Sequence, residues 1–205
     1  CNNFYASCEK LFDPTLKDKP VVVLSNNDGC VVARSAEVKA LGIPMGVPWF
    51  KIQQEARRYG IVAFSSNYAL YADMSNRVVE ILASFSPSIE VYSIDESFLE
   101  LSGFERYGYH AYGQTMRQQI ADWLGLAVCV GIGPTKTLAK LANFIAKTAE
   151  RKPGSYPADL AQVCNLSELS QNELKAVFMA TPVNEVWGVG RKISAQLNAG
   201  GVNTV

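Results

Sequence analysis

The sequence predicts an α+β fold with a ferredoxin-like core, and three observations support this prediction. Short runs of β-branched and aromatic residues alternate with segments whose apolar residues recur at helical spacing. Once an early insertion is set aside, the order is strand, helix, strand, strand, helix, strand, helix, which is the split βαβ arrangement. Two adjacent acids, Asp95 and Glu96, lie between two of these strands and are the first candidates for a functional site.

The composition indicates a folded globular protein. The 205 residues are 48% hydrophobic and 19% charged, and no run of 18 apolar residues predicts a membrane-spanning helix. Five scattered cysteines argue against a zinc site or a disulfide framework, and they favour a reducing, cytoplasmic location. The formal net charge is zero, but residues 131–205 contain eight Lys and Arg against five Asp and Glu. We therefore expect any surface that binds a nucleic-acid backbone in the last third of the chain.

The first third of the chain predicts a strand-to-helix junction followed by a small mixed unit. Residues 2–10 change from aromatic to small side chains, as where a strand leads into a helix. Asn27, Asp28 and Gly29 tolerate positive φ and predict a hairpin turn. The flanking strands are expected at 21–24 and 30–33, short helices at 35–41 and 51–59, and a further strand at 61–64.

The remaining elements follow from hydrophobic periodicity. Apolar residues at helical spacing predict a long helix that Pro87 closes. Strands are expected on both sides of the two acids, and Pro134 is well placed to begin a later helix. The expected helices are 68–85, 112–124, 136–148 and 166–179, with strands at 89–94, 98–101 and 126–132.

The two acids require a bend in the backbone if both are to act together. Successive residues of a strand point to opposite faces, so Asp95 and Glu96 converge only at a hairpin tip. Two neighbouring carboxylates repel unless a cation lies between them, and hard oxygen ligands suit Mg²⁺. An ordinary polar turn is the alternative interpretation. The ferredoxin-like order places residues 1–5 beside this hairpin, so two distant stretches are expected to meet there.

Five ordered motifs resemble those of the Y-family, or translesion, DNA polymerases. Residues 1–9 (CNNFYASCE), 92–98 (YSIDESF) and 131–143 (GIGPTKTLAKLAN) resemble the family's first motif, acidic motif and palm helix. Two more, SNNDGCV at 25–31 and WGVGR at 187–191, resemble the UmuC-like branch, which contains the catalytic subunit of DNA polymerase V. The resemblance covers essentially the whole chain and implies error-prone, template-directed DNA synthesis in SOS mutagenesis and DNA repair.

The resemblance also implies a domain organisation. The ferredoxin-like palm would comprise residues 1–11 and 66–150, and inserted α/β fingers would comprise 12–65. Residues 155–205 would form a small helical thumb with a helix–hairpin–helix. The family's fourth domain, the little finger, would follow residue 205 and is expected to be absent here.

By resemblance, the catalytic and metal-binding residues are Asp95 and Glu96, and the cofactor is Mg²⁺, as two ions. Such ions stabilise the attacking and leaving oxygens of nucleotidyl transfer. Cys1 takes the position whose backbone carbonyl joins the metal shell. The family has a further aspartate immediately before this cysteine, where the present sequence begins. We therefore expect the chain as printed to be severely impaired in turnover.

The nucleotide-binding residues are implied in the same way. The amides of Asn3, Phe4 and Tyr5 match the loop that holds the triphosphate, and Tyr5 matches the steric gate that excludes a ribose 2′-hydroxyl. Lys39 and Lys147 match residues that pair with the β- and γ-phosphates. Alone, Tyr5 would be interpreted as a core aromatic and the two lysines as solvated helix residues. The family commonly has a tyrosine where this chain has Ala36, which removes one phosphate hydrogen bond.

Two further groups concern the DNA itself. The base-pair pocket is expected at Gly29, Cys30, Val31 and Val32, where small side chains leave room for a distorted template base. The DNA-backbone contacts are expected at Gly188, Gly190, Arg191 and Lys192. Contacts of this kind position a duplex without reading its sequence. A plain glycine turn between helices is the alternative.

The implied partners are primer–template DNA and a dNTP, with no membrane. For the parent protein the resemblance adds a UmuD-type dimer, RecA and the sliding clamp. Two other functions stay open. A palm-type nucleotide cyclase shares a ferredoxin-like core with carboxylates at a hairpin. A catalytically inactive DNA-binding or regulatory scaffold is favoured by the missing first aspartate.

Overall fold

The computed structural model describes all 205 residues and confirms the α+β class. The helices are α1 (Phe4–Phe12), α2 (Ala36–Ala40), α3 (Trp49–Tyr59), α4 (Tyr68–Ala83), α5 (Tyr109–Leu124), α6 (Lys136–Arg151), α7 (Gln171–Met179) and α8 (Arg191–Ala199). The strands are β1 (Val21–Leu24), β2 (Val31–Arg34), β3 (Val62–Phe64), β4 (Ile89–Ser93), β5 (Glu96–Leu99), β6 (Val130–Ile132) and β7 (Val163–Asn165). From β1 onward, most of the expected elements are therefore present in the expected order.

The chain divides into two compact units. The first unit consists of Cys1–Glu100 and Ile120–Ala127, and the second consists of Leu101–Gln119 and Val128–Val205. None of the helices combines the length with the continuous apolar character that crossing a bilayer requires. The division into palm, fingers and thumb stays a prediction.

The hairpin predicted around Asn27 is present in the first unit. Strand β1 pairs with β2 in antiparallel fashion and with β3 in parallel fashion, which gives the order β2-β1-β3. In the turn, the Ser25 N–H donates to the Cys30 carbonyl at 2.8 Å, and Asp28 adopts a φ of 54°. All four residues of β1 are buried, and helices α2 and α3 contribute apolar residues to the core on one of its faces.

The prediction that the chain begins with a strand is wrong. Asn3 has left-handed backbone angles (φ 52°, ψ 38°), and α1 begins directly after it at Phe4. The N-terminal segment nevertheless lies beside the segment predicted as a later strand, because the Asn2 N–H donates to the Ala127 carbonyl at 2.9 Å. Of that later strand, only β6 forms.

The hairpin predicted around the two acids is also present. Strands β4 and β5 pair in antiparallel register, with Ser93 opposite Glu96 and Val91 opposite Ser97. The register shifts between Val91 and Ser93, so Tyr92 is the extra residue of a β-bulge. Bulges bend a strand and change the direction of nearby side chains.

The second unit is organised around α6. The backbones of β6 and α6 approach so closely at Gly131 that a Cβ there would lie 2.1 Å from the Asn143 nitrogen. A parallel strand that the sequence does not predict, β7, pairs with β6. The prediction of a helix over 166–179 is wrong at its start. The helix α7 begins only at Gln171, because Ser170 is its N-cap and forms a capping box with Glu173.

Candidate functional site

Asp95 is held at the tip of the β4–β5 hairpin by its own turn. The Ser93 hydroxyl donates to Asp95 Oδ1 at 3.0 Å, and the Asp95 N–H donates to the same hydroxyl at 3.4 Å. Glu96 begins β5 directly after it. Both acids are half-buried.

The N-terminal segment lies against this hairpin. The backbone nitrogen of Cys1 donates to the Asp95 carbonyl at 2.6 Å, across 94 positions of sequence. The expectation that residues 1–5 approach the two acids is therefore confirmed. The role of the Cys1 carbonyl as a metal ligand stays a prediction.

The donor atoms at the hairpin suit a hard divalent cation only in part. Asp95, Glu96 and the Cys1 carbonyl offer oxygen ligands, which is the chemistry that Mg²⁺ prefers. The structure contains no group of three or more His, Cys, Asp and Glu residues that could hold a metal ion. Two carboxylates fit one such ion with additional ligands, and they are a small set for two ions.

A second part of the site is the N-terminus of α1. The first N–H groups of a helix have no acceptor within the helix, and no side chain caps them here. On α2, Lys39 Nζ donates a hydrogen bond to Asn3 Oδ1 across 36 positions of sequence. The helix dipole and a lysine thus contribute positive charge at the same place, which favours an anion such as a phosphate.

The position of α2 is fixed by a second lysine. Lys10 Nζ, on α1, lies 2.8 Å from Glu37 Oε1 and 3.1 Å from the Lys17 carbonyl. Burial opposes ionisation of Glu37, but hydrogen bonds from Lys10 and Ser35 outweigh it and lower the pKa of its carboxyl. The ion pair holds α2 against α1, so Lys39 stays beside Asn3.

The third part of the site is a cluster of three tyrosines. The rings of Tyr5 and Tyr71 are stacked with centroids 4.1 Å apart, and the Tyr68 ring lies edge-on to both. Burial raises the pKa of Tyr5, and the neighbouring Tyr68 and Asp95 raise it further.

Tyr71 and its partner Glu9 are residues that sequence reasoning missed. The Tyr71 side chain is fully buried, and its hydroxyl donates to Glu9 Oε1 at 2.6 Å. The sequence does indicate that Tyr71 is buried, because it lies at helical spacing with Met74 and Val78 on the buried face of α4.

The four residues expected to line a base-pair pocket have different environments. Val32 is exposed, and Gly29 and Cys30 are half-buried. Val31 has an exposed fraction of 0%, because it packs in the core that β1 and β2 share with α2 and α3. Its side chain therefore cannot line an open surface, whereas Cys30 and Val32, on the opposite face of the strand, can.

The remaining predicted residues belong to the second unit. Lys147 lies half-buried on α6. Gly188 has a φ of +92°, and Gly190 is the N-cap of α8 without a side-chain capping bond. Arg191 and Lys192 are exposed in the first turn of α8. This turn can present backbone N–H groups and two cations to an anionic polymer.

Comparison with known proteins places these features in a family. A model described as the impB/mucB/samB family matches residues 1–143. Protein UmuC and Protein ImpB of Salmonella typhimurium are 49% and 48% identical to the chain over 204 residues. DNA polymerase IV 2 of Mesorhizobium japonicum is 31% identical over 208 residues, which is 98% of this chain and 44% of that protein.

The chain spans less than half the length of these curated relatives. The similarity to UmuC and ImpB extends over 99% of the chain but 46% of each relative. Among solved structures, the insertion ternary complex of Dbh DNA polymerase superposes with a TM-score of 0.81 at 25% identity, over 99% of this chain and 56% of that one. The crystal structure of DinB from Sulfolobus solfataricus superposes with a TM-score of 0.77 at 24% identity and supports the same fold.

Proposed function

Because the chain belongs to the impB/mucB/samB family, we propose that it carries the catalytic part of an error-prone, template-directed DNA polymerase that acts in translesion synthesis. The observation that carries this proposal is the contact between Cys1 and Asp95. It brings the α1 N-terminus, with its uncapped amides and nearby Lys39, to the acidic hairpin. A phosphate-binding helix end beside two carboxylates is the arrangement that nucleotidyl transfer needs.

Asp95, Glu96 and the Cys1 carbonyl are the proposed ligands for two Mg²⁺ ions. When bound, the ions would stabilise the attacking 3′-oxygen and the leaving oxygen of the displaced diphosphate. The two carboxylates are few for this task, so the proposal includes a further carboxylate directly before Cys1, where the family resemblance places one. Without it, we expect turnover to be severely impaired.

The chain's own groups would bind and orient the triphosphate. The amides of Asn3, Phe4 and Tyr5 would donate to its oxygens at the α1 N-terminus, as backbone N–H groups do in other phosphate sites. Lys39 would exchange its hydrogen bond with Asn3 for one with the β- or γ-phosphate. Lys147 of α6 is proposed as a second cation for the same phosphates.

Tyr5 would select the sugar. Its ring is held on one side by Tyr71 and at its edge by Tyr68, so it has little freedom to move away from a larger substrate. A ribose 2′-hydroxyl would collide with it. A deoxyribose would not.

The surface near the new base pair would tolerate distortion. Gly29, Cys30 and Val32 present small or short side chains there. Weak contacts on a base pair give weak discrimination between correct and incorrect pairs. Low fidelity and bypass of damaged bases follow from the same property.

The turn at Gly188 and Gly190 would bind the DNA backbone. The first N–H groups of α8, which no side chain caps, and the cations Arg191 and Lys192 would contact phosphates without reading bases. Primer–template DNA and dNTPs are thus the proposed substrates. A UmuD-type dimer, RecA and the sliding clamp are proposed partners of the whole protein, in a reducing cytoplasm.

The test is primer extension with Mg²⁺ and all four dNTPs. The protein carries an aspartate before Cys1 and the C-terminal region present in its relatives, and Asp95→Ala is run beside it. Extension that disappears in Asp95→Ala supports the polymerase and its acidic hairpin together. A folded protein that binds DNA but never extends a primer would contradict the proposal.

One observation favours a second candidate, a catalytically inactive DNA-binding scaffold. The exposed cations Arg191 and Lys192 at the start of α8 would bind a DNA backbone whether or not the hairpin is catalytic. A scaffold would gain no activity when the aspartate before Cys1 is added. The same comparison of proteins with and without that residue therefore separates the two functions. A nucleotide cyclase, in contrast, would convert a single nucleotide without any primer.

A further inference from the structure

The hydrogen bond between Tyr71 and Glu9 connects the aromatic cluster to a carboxylate that has no role in the proposed reaction. Tyr5 and Glu9 are four residues apart on α1, so they project from the same face of the helix. Tyr71, from α4, reaches both of them. Its ring lies nearly parallel to that of Tyr5, with an interplanar angle of 13°, and its hydroxyl donates to Glu9 at 2.6 Å.

This geometry restrains the ring of Tyr5 in a way that stacking alone cannot. Two stacked rings can slide over one another, because attraction between them varies slowly with offset. A hydrogen bond to a carboxylate is short and directional, and it fixes the far end of the Tyr71 ring. The Tyr71 side chain is fully buried, and the Tyr68 ring lies edge-on to it at the side of the cluster.

The protonation state of Tyr71 is also secure. Burial raises the pKa of its hydroxyl, and the hydrogen bond to Glu9 raises it further. The hydroxyl therefore remains a donor across the whole range in which a polymerase is assayed.

We propose that Glu9 is a positioning residue for sugar selection. Through the Tyr71 hydroxyl, it fixes the ring on which Tyr5 stacks, and so fixes the face that Tyr5 presents to the 2′ position of an incoming nucleotide. A steric filter depends on distance, so a Tyr5 ring that can recede slightly admits one extra oxygen atom. The inference rests on the proposed polymerase function and on Tyr5 as its steric gate.

The competing explanation is that Tyr71 and Glu9 only attach α4 to α1. In that case, loss of the hydrogen bond would weaken the fold and lower activity equally with both kinds of nucleotide. A positioning role changes the ratio between them. The ratio of kcat/KM for dCTP to that for CTP is therefore the decisive quantity.

The experiment uses the full-length protein in single-nucleotide primer extension. Tyr71→Phe keeps the buried ring and removes only the hydroxyl, and we expect it to lower the dCTP/CTP ratio about three- to tenfold. Glu9→Gln should act in the same direction but less, because a neutral amide is a weaker acceptor. The double variant should match Tyr71→Phe alone, since Glu9 then has no hydroxyl to hold.

Two controls complete the design. Tyr109→Phe also removes a tyrosine hydroxyl that donates to a glutamate, Glu105 at 3.0 Å, but one outside the cluster, and it should leave the ratio unchanged. Tyr5→Ala removes the gate itself and should lower the ratio most. Thermal melts check folding, and Tyr71→Phe carries the test if Glu9→Gln is unstable.

The outcomes are separable. Equal losses with dCTP and CTP in Tyr71→Phe would overturn the positioning role while leaving the polymerase intact. An unchanged ratio in Tyr5→Ala would overturn both the gate and the role of Glu9. A wild-type protein that extends no primer with either nucleotide would overturn the proposed function, and the inference with it.

Discussion

The two compact units bring their candidate residues together in different ways. In the first unit the contacts join residues far apart in sequence: Cys1 with Asp95, Asn3 with Lys39, and Glu9 with Tyr71, at separations of 94, 36 and 62 positions. In the second unit the candidate DNA contacts are neighbours in one turn, 188–192.

This difference fits the two tasks that we propose for the units. Reaction at a phosphate requires groups held in fixed positions, which packed helices and a hairpin can provide. Contact with a DNA backbone requires only accessible amides and positive charge.

The largest expected effect on stability concerns the packing of β6 against α6 in the second unit. A Cβ at Gly131 would meet backbone atoms of α6 at 2.1 and 2.3 Å, and backbone cannot move aside cheaply. We expect Gly131→Ala to lower the free energy of unfolding by about 3 kcal/mol or more, as overpacking a tight contact does. Thermal melting measures this.

The matched control for this change is Gly190→Ala. A Cβ there has nothing within 4 Å, and the residue has a φ of −81°. Its melting temperature should fall much less than that of Gly131→Ala, because replacing a glycine N-cap with alanine costs only about 1 kcal/mol. Equal losses in the two variants would mean that β6 and α6 are not packed as described.

The next prediction tests whether Lys39 and the N-terminus of α1 bind the same triphosphate. Removing the Lys39 amino group deletes a charged partner of the proposed triphosphate, so Lys39→Ala should raise KM for dNTPs about ten- to hundredfold. Lys51→Ala, an exposed lysine of α3, is the control and should have no effect. An unchanged KM in Lys39→Ala would place the triphosphate elsewhere.

A smaller effect is expected at the turn of the second unit. Replacing Arg191 and Lys192 with alanine should weaken DNA binding by a similar factor for every sequence. It should also reduce the slope of log K against log salt by about 1 for each phosphate that the protein no longer neutralises. Lys175→Ala on α7 is the control. A change in sequence preference, without a change in slope, would contradict a backbone contact.

The smallest expected effect is a difference in reactivity among the five cysteines, none of which forms a disulfide. Burial raises the pKa of Cys8 and of Cys164 to about 12, so their thiols stay protonated and unreactive near pH 8. Cys1 and Cys30 should react with a maleimide first, as mass spectrometry can show.

The raised thiol pKa values of Cys8 and Cys164 also make stability depend on pH. Their contribution to the free energy of unfolding is complete below the unfolded pKa near 9 and is lost as pH rises towards 12. Rapid labelling of Cys8 in the folded protein would contradict its burial.

Local patterns were sufficient to predict much of the fold. Residues 25–30 carry their own turn signal in Asn27, Asp28 and Gly29, and the acids between two β-runs indicated the hairpin tip. The boundary error at α7 was avoidable, because Ser170 and Glu173 have the spacing of a capping box. Strand β7 has three residues, too few for a periodicity.

The contacts that complete the site could not be predicted from local patterns. Asn3 has a left-handed backbone conformation that its own sequence does not predict. Because of this conformation, α1 begins at Phe4 where a strand was expected. Tyr71 looks like any apolar residue of a helical stripe. Its role depends on a stack with Tyr5 and a hydrogen bond to Glu9, which only packing of α4 on α1 creates.

The central claim is that distant residues form one nucleotidyl-transfer site at the β4–β5 hairpin. The most direct measurement is single-turnover primer extension by Asp95→Asn, beside Asp73→Asn, which removes the same charge from an exposed pair with Arg77 on α4. The account predicts that Asp95→Asn loses at least about a thousandfold in rate with unchanged DNA affinity, while Asp73→Asn keeps wild-type rates. Equal rates in the two variants would contradict the claim.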